Sequence, residues 1–210
     1  MKEKPNEWVS IADLMAGTMA VVMLLLVVAV LQNQYAAIKH KQELAQSAVT
    51  KQQRVGIILA DIKRSFDEQG ASNLVSFDMQ ANKMTLKDNV FARGSACVTK
   101  QAQTAFESVE PEIVRYLQQA QSGQIVVEGY TDNLPVEKPV VDFARFCTVY
   151  DDNYTLSAAR AREARKLLTS TLDPGAARRV IVAGFGDSRP LPEIDPGDPR
   201  NRRVEVSFGM

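Results

Sequence analysis

The feature that most constrains this chain is an unbroken apolar run near its start. Val9–Leu31 holds one ionisable side chain, Asp13, and Met19–Leu31 has no polar side chain at all. As a helix, about 23 residues rise roughly 34 Å, enough to cross a hydrocarbon core of about 30 Å. Trp8 stands at the start, where an indole suits the headgroup layer. A cleaved signal peptide, with Lys2 and Lys4 as its basic region, is the rival reading. The run is long for a signal, a carboxylate sits near its start, and Val28–Gln32 lacks a small-x-small cleavage pattern. The expectation is a short cytoplasmic tail over 1–8 and a retained transmembrane helix over 9–31.

Asp13 lies about five residues, roughly 7–8 Å by helix rise, inside Trp8. A lone carboxylate there costs on the order of 2.5–3.5 kcal/mol on the lenient insertion scale. Ala16, Gly17 and Ala20 share its helical face, a small-residue stripe suited to close packing against partner helices. One reading makes Asp13 an interfacial residue reaching back to the headgroups. The other makes it an ion-translocating acid, alternating between neutral and ionised forms on a protein-lined path. One helix cannot build such a path, so a polytopic partner is implied.

Gln32 to about Gly70 is polar and helix-prone, without proline and with Gly56 as its internal glycine. Val55, Ile58, Leu59, Ile62 and Phe66 fall at helical spacing. Two arrangements satisfy that stripe: a parallel homodimer stalk over 32–71, or a helix packed on its own domain. Lys39-His40-Lys41 follows the apolar run and Lys2 and Lys4 precede it, so the basic flanks do not set the orientation.

From about Ser72 to residue 210 the pattern shortens. Leu74–Phe77, Met84–Leu86, Val90–Phe91, Ile125–Tyr130, Val180–Ala183 and Val204–Phe208 read as strands. Gln103–Gln121 and Thr155–Leu172 read as helices. The expected fold class is α+β, a mixed sheet with helices on one face. At 210 residues, 45% apolar and 24% charged, the chain holds one ordinary domain plus an attached element. A net charge of +0, from 25 basic and 25 acidic residues, gives no basic stripe and argues against direct nucleic-acid contact.

Cys97 and Cys147 are too far apart for a CxxC pair, and His40 is the single histidine, which speaks against a zinc site. If the domain is exported, a Cys97–Cys147 disulfide is allowed; two buried free thiols are the other reading. No cofactor is expected, and no enzyme constellation stands out. His40 lies beside the apolar run, which leaves no Ser-His-Asp site in the domain. A glycosidase carboxylate pair is not legible from sequence alone, and Gly184-Phe185-Gly186 lacks the third glycine of a dinucleotide fingerprint.

Ordered motifs say more. Val127-Glu128-Gly129-Tyr130-Thr131-Asp132-Asn133 is followed by Asn153-x-x-Leu156-Ser157-x-x-Arg160-Ala161, then Gly184-x-Gly186, then Asn201-Arg202-Arg203-Val204-Glu205. Over roughly Asn89–Phe208 this resembles the OmpA-like peptidoglycan-binding domain, in the form carried by the MotB family of flagellar stator B subunits. The resemblance implies a peptidoglycan site for diaminopimelate. Asp132 would take its ammonium and Arg160 its carboxylate, with Thr131, Asn153 and Arg202 in support. A carboxylate and a guanidinium a few ångströms apart suit that zwitterion through charge-assisted hydrogen bonds. For each of these residues a surface ion pair or a loop cap is the plainer alternative, and Arg202 could simply tie down the last strand. This chain departs from the family pattern in three places. Tyr130 replaces a histidine, Ala92 stands where many members carry an aspartate, and the loop from Leu134 to Asp152 is long.

A peptidoglycan-binding domain joined to a membrane acid resembles the B subunits of ion-driven rotary motors, in which two B helices stand inside a ring of A subunits. The resemblance implies a homodimer, a MotA-like or ZorA-like polytopic A-subunit ring (five A to two B), and a single-pass inner-membrane protein with a periplasmic C-terminal domain. The run Trp8-Val9-Ser10-Ile11-Ala12-Asp13-Leu14-Met15-x-Gly17 is most similar to the B-subunit family of the Zorya anti-phage defence motor, ZorB. The flagellar stator B subunit and a passive wall anchor are the alternatives. Few hydroxyls (Ser10, Thr18) neighbour Asp13, which favours H⁺ over Na⁺ as the ion.

Overall fold

The structure, a computed structural model, describes residues 7–119 and 123–209; most of the expected tail over 1–8 lies outside them. The longest element is helix α1 (Glu7–Glu68), and the chain divides into two compact units, Met1–Thr50 and Lys51–Met210. In the first unit α1 contains the span Ile11–Glu43, whose best 18-residue window reaches a mean hydropathy of 2.8. Among the described residues this is the one helix long and apolar enough to cross a membrane. Leu14, Met19 and Leu24 are 64–70% exposed. None of the described residues covers them, so lipid or a partner must. Gly17 has open space where a Cβ would stand, so the small-residue stripe beside Asp13 is uncovered too.

The second unit is built on a five-stranded sheet. Its strands are β1 (Val75–Asp78), β2 (Lys83–Leu86), β3 (Gln124–Tyr130), β4 (Val180–Gly184) and β5 (Arg203–Gly209), in spatial order β1-β2-β5-β3-β4. Only β3 and β4 run parallel; the other pairs are antiparallel. The parallel pair is joined through α4 (Asn153–Thr169), as a crossover connection requires. Together with α2 (Lys100–Gln119) and the short α3 (Phe143–Phe146) and α5 (Pro174–Ala177), these elements make the α+β fold expected from the pattern. Inward positions of β3 and β5 (Ile125, Val127, Val204, Val206) alternate as period-two strands do, and they meet Phe106, Ile113 and Leu117 of α2 in one core.

Two expectations need correcting. Val90–Phe91 is not a strand: Asp88–Val90 forms a 3-10 turn, and Phe91 makes only an isolated bridge to Val98. The boundary at residue 72 also cuts through the core. Val55, Ile58, Leu59, Ile62 and Phe66 are 0–3% exposed and belong to the same apolar cluster as the sheet. The stripe that suited either a stalk or a self-packed helix is thus used by the domain itself. Phe66 sits edge-on to Phe106 with ring centroids 5.1 Å apart.

Burial of five such side chains contributes roughly 7–15 kcal/mol, at about 1.5–3 kcal/mol each. That rivals the whole stability of an ordinary domain, about 5–15 kcal/mol. A fragment starting at Lys51 should therefore melt cooperatively, whereas one starting at Ser72 should show no cooperative transition by circular dichroism. Equal, sharp transitions in both would show that the α1 stripe is dispensable.

Candidate functional site

The motif residues converge because α4 lies unusually close to the sheet. A Cβ at Gly129 would stand 2.0 Å from the carbonyl oxygen of Ser157, and one at Gly184 would stand 2.6 Å from the Ala158 Cβ. Glycine is required at both positions, and the small residues Ser157 and Ala158 of α4 make that contact, with Ala161 and Ala164 buried in the core further along the helix. The loops are then laced together. Gly186 N–H donates to Ser157 Oγ (2.9 Å), Thr131 N–H to Gly186 O (2.8 Å), and Phe185 N–H to Gly129 O (2.9 Å). Asp152 caps α4 by accepting from Thr155 N–H at 2.6 Å, and the hydrogen bond holds its carboxyl below the usual range. Arg160 follows two turns later.

Arg160 is 2% exposed, and its guanidinium is enclosed on several sides. Its Nε–H donates to Ser95 O (3.0 Å), its Nη1 lies 3.4 Å from Asp88 Oδ1, and its plane lies 5.5 Å from the centre of the Phe91 ring. Asp88 Oδ2 in turn accepts from Arg202 Nε (3.0 Å), and Arg202 Nη1 donates to Asp132 Oδ2 (2.7 Å). The result is an alternating chain, Arg160–Asp88–Arg202–Asp132, along a cleft of about 1240 Å³. Burial pulls the Arg160 guanidinium below its ordinary value, opposed by the charge of Asp88 and reinforced by that of Arg202. At Arg202 burial acts in the same direction, but the hydrogen bonds to Asp132 and Asp88 outweigh it and leave the group raised.

The structure assigns the expected residues different tasks. Asp132, 6% exposed, and Arg160 both line the cleft, with Arg202 between them through Asp88. Asn153 Nδ2 donates to the carbonyls of Asp132 (3.2 Å) and Leu134 (3.0 Å), so it shapes the backbone under the site. Thr131 Oγ1 is buried without a hydrogen-bond partner among the described residues, and Asp88 Oδ1 and Arg160 Nη1 make no hydrogen bond and meet each other only as an ion pair at 3.4 Å. Such groups are costly unless something else completes them. Asn201 is fully buried and ties the preceding loop through Leu191 N–H, Asp195 O and Pro196 O, which delivers Arg202 to the cleft. Asp13 belongs to the other unit.

Asp88 is the residue that sequence reasoning missed. It sits in a polar break between apolar stretches, and nothing local distinguishes it from the other acids. The carboxylate that meets Arg160 and Arg202 comes from position 88, and position 92 is Ala92. Tyr130, in place of the family's histidine, stacks on Phe185 (5.5 Å) beneath the Arg203 guanidinium (3.9 Å). Burial, aided by Glu205 and Glu128, pushes its hydroxyl up to about 12, so it stays neutral where a histidine would titrate.

Cys97 and Cys147 are joined as a disulfide, with Cα atoms 5.0 Å apart and 50 residues of separation. Among the described residues no three His, Cys, Asp or Glu side chains gather as a metal-binding group.

Residues 90–203 match the OmpA family. No curated protein matches the chain. Among solved structures it is similar to a MotB-like protein from Desulfovibrio vulgaris, at 19% identity over 76% of this chain and 96% of the other, with a TM-score of 0.56. It is also similar to the cell wall anchor of the T6SS from Pseudomonas aeruginosa, at 28% identity over 71% and 97% of the two chains, with a TM-score of 0.51. The first likeness speaks to the fold alone.

Removing the Asp88 charge leaves Arg160 and Arg202 facing each other across the cleft. Breaking a buried pair costs about 3–5 kcal/mol, and Asp88 is part-exposed, so Asp88→Asn should cost roughly 1–3 kcal/mol in a denaturant melt. Asp88→Glu should recover part of that loss. An unchanged midpoint for Asp88→Asn would show that the ion chain is not coupled through this residue.

Proposed function

This chain belongs to the OmpA family, and from that premise we propose that it is the wall-anchored B subunit of a proton-driven inner-membrane rotary motor. The observation that carries the reading is the alternating cluster of Arg160, Asp88, Arg202 and Asp132 in one cleft. A zwitterionic end group fits such a cluster by exchange. Its ammonium takes the Asp132 carboxylate from Arg202, and its carboxylate completes the Arg160 guanidinium. Diaminopimelate in peptidoglycan presents that pair of charges. The disulfide supports placing the domain in an oxidising compartment, and so the N-terminus in the cytoplasm.

The membrane helix supplies the second half of the reading. Asp13 stands beside an uncovered stripe of small residues in a span with no other charge nearby, and a polytopic ring of A subunits around a B homodimer would cover it. Few hydroxyls (Ser10, Thr18) neighbour Asp13 in the sequence, which leaves few side-chain oxygens for a sodium ion and favours a proton. The run from Trp8 to Gly17 favours the Zorya defence motor, with the flagellar stator as its closest alternative. A second reading, a passive wall anchor, draws on the likeness to the T6SS cell wall anchor; there Asp13 would have no ion to carry.

The wall-binding half is tested with the full chain in detergent and isolated sacculi containing diaminopimelate. Asp132→Asn and Arg160→Lys keep side-chain size while removing one charge or the planar fork. Each should weaken sedimentation with sacculi by about 10- to 100-fold, the loss expected of a charged hydrogen bond worth roughly 1.5–3 kcal/mol. Wild-type sedimentation by both folded variants would refute the pocket assignment.

A further inference from the structure

We propose that the Cys97–Cys147 disulfide is a positioning clamp for Arg160, so that ligand binding in the cleft depends on oxidation of this pair. The proposal rests on the wall-binding reading of the cleft. Its starting point is Ser95, 2% exposed, whose carbonyl accepts from Arg160 Nε–H at 3.0 Å. Ser95 lies in a turn closed by its own backbone bonds, Ser95 N–H to Ala92 O (3.0 Å) and Ala92 N–H to Cys97 O (2.9 Å), and the turn is fixed in place against the loop that follows β3. Ser95 Oγ–H donates to Phe146 O (2.9 Å) and Ala96 N–H donates to the same oxygen (3.0 Å). Cys97 N–H donates back to Ser95 Oγ (2.9 Å), and the next covalent link is the bond from Cys97 to Cys147. On the other side, Arg162 of α4 donates to Cys147 O (2.8 Å). The turn is thus clasped between Arg160 and the segment around α3.

That segment is weakly held otherwise. Helix α3 buries no residue, and Val141 and Phe143 are 76% and 56% exposed. Tyr150 anchors the far end, with its hydroxyl donating to Gly94 O (2.6 Å) and its backbone paired with Val140. Between these anchors the covalent bond, not apolar packing, keeps Phe146 O facing Ser95 and Ala96. Both cysteines are half-buried and border a second cleft of about 450 Å³, so a small thiol reaches them. Reduction by a dithiol such as dithiothreitol breaks the S–S bond. The dithiol gives up two electrons and two protons, two cysteine thiols form, and the reductant leaves as its cyclic disulfide. The freed loop then releases the turn, and Arg160 loses the carbonyl that orients its fork.

The test uses the full chain in detergent with sacculi as the probe, and follows amide hydrogen exchange in parallel. Reduced wild-type protein and the Cys97→Ser/Cys147→Ser variant should bind sacculi about tenfold more weakly, because the site must be ordered on binding. Reoxidation should restore the wild type, and dithiothreitol should leave the double variant unchanged. Exchange should rise at residues 94–97 and 143–147 while β3 and β5 stay protected, a pattern that a general staple does not give. Equal binding before and after confirmed reduction would overturn the proposal. So would unchanged exchange at 94–97, or loss of protection throughout the sheet. Failure of the oxidised wild type to bind sacculi, with exchange rising only at the clamp, would instead refute the wall-binding reading and keep the clamp without that ligand.

Discussion

A guanidinium that is 2% exposed must find its counter-charges inside the protein, and at Arg160 that requirement organises the whole cleft. The desolvation cost is met by a carboxylate, an aromatic face and a backbone carbonyl, all from the one stretch Asp88 to Ser95 that lies far from Arg160 in sequence. Because Asp88 serves two arginines, and Arg202 serves two aspartates, no member of the chain of charges is satisfied alone. Coupled networks of this kind are stable when complete and sensitive to the loss of one partner. They also suit exchange: a ligand bearing both charges can replace internal partners one for one without leaving a bare ion behind.

The backbone features serve that arrangement. Gly129 and Gly184 let α4 lie so close to the sheet that any side chain there would strike Ser157 or Ala158. Moving α4 outward to make room would carry Arg160 away from Asp88. The glycines of the motifs thus act by their absence of side chain, and Asn201 acts by tying a loop. Asp88, Asp132, Arg160 and Arg202 carry the linked charges that line the cleft.

This division explains what was legible in the sequence. The α+β alternation, the apolar span and the motif residues were readable because periodicity and local spacing carry them. Asp88 was not, since its importance comes from two arginines that lie 72 and 114 positions further on. The stripe Val55–Phe66 was visible as a stripe, but its partner was not: a helix face that packs on a sheet and one that packs on a second helix share the same spacing. Val90–Phe91 was apolar enough for a strand, yet Phe91 is needed beneath Arg160, and the backbone turns there to place it.

The central claim is that Asp13 carries protons through a partner while the domain holds the wall. It is tested most directly by proton flux into vesicles that contain this chain together with a multi-spanning A subunit of the kind the proposal calls for. Asp13→Asn keeps size and polarity but cannot ionise. The account predicts that the variant assembles with the partner at wild-type yield and that flux falls to the level of empty vesicles. Wild-type flux through a fully assembled Asp13→Asn complex would contradict it, and would leave a wall anchor whose membrane carboxylate moves no ions.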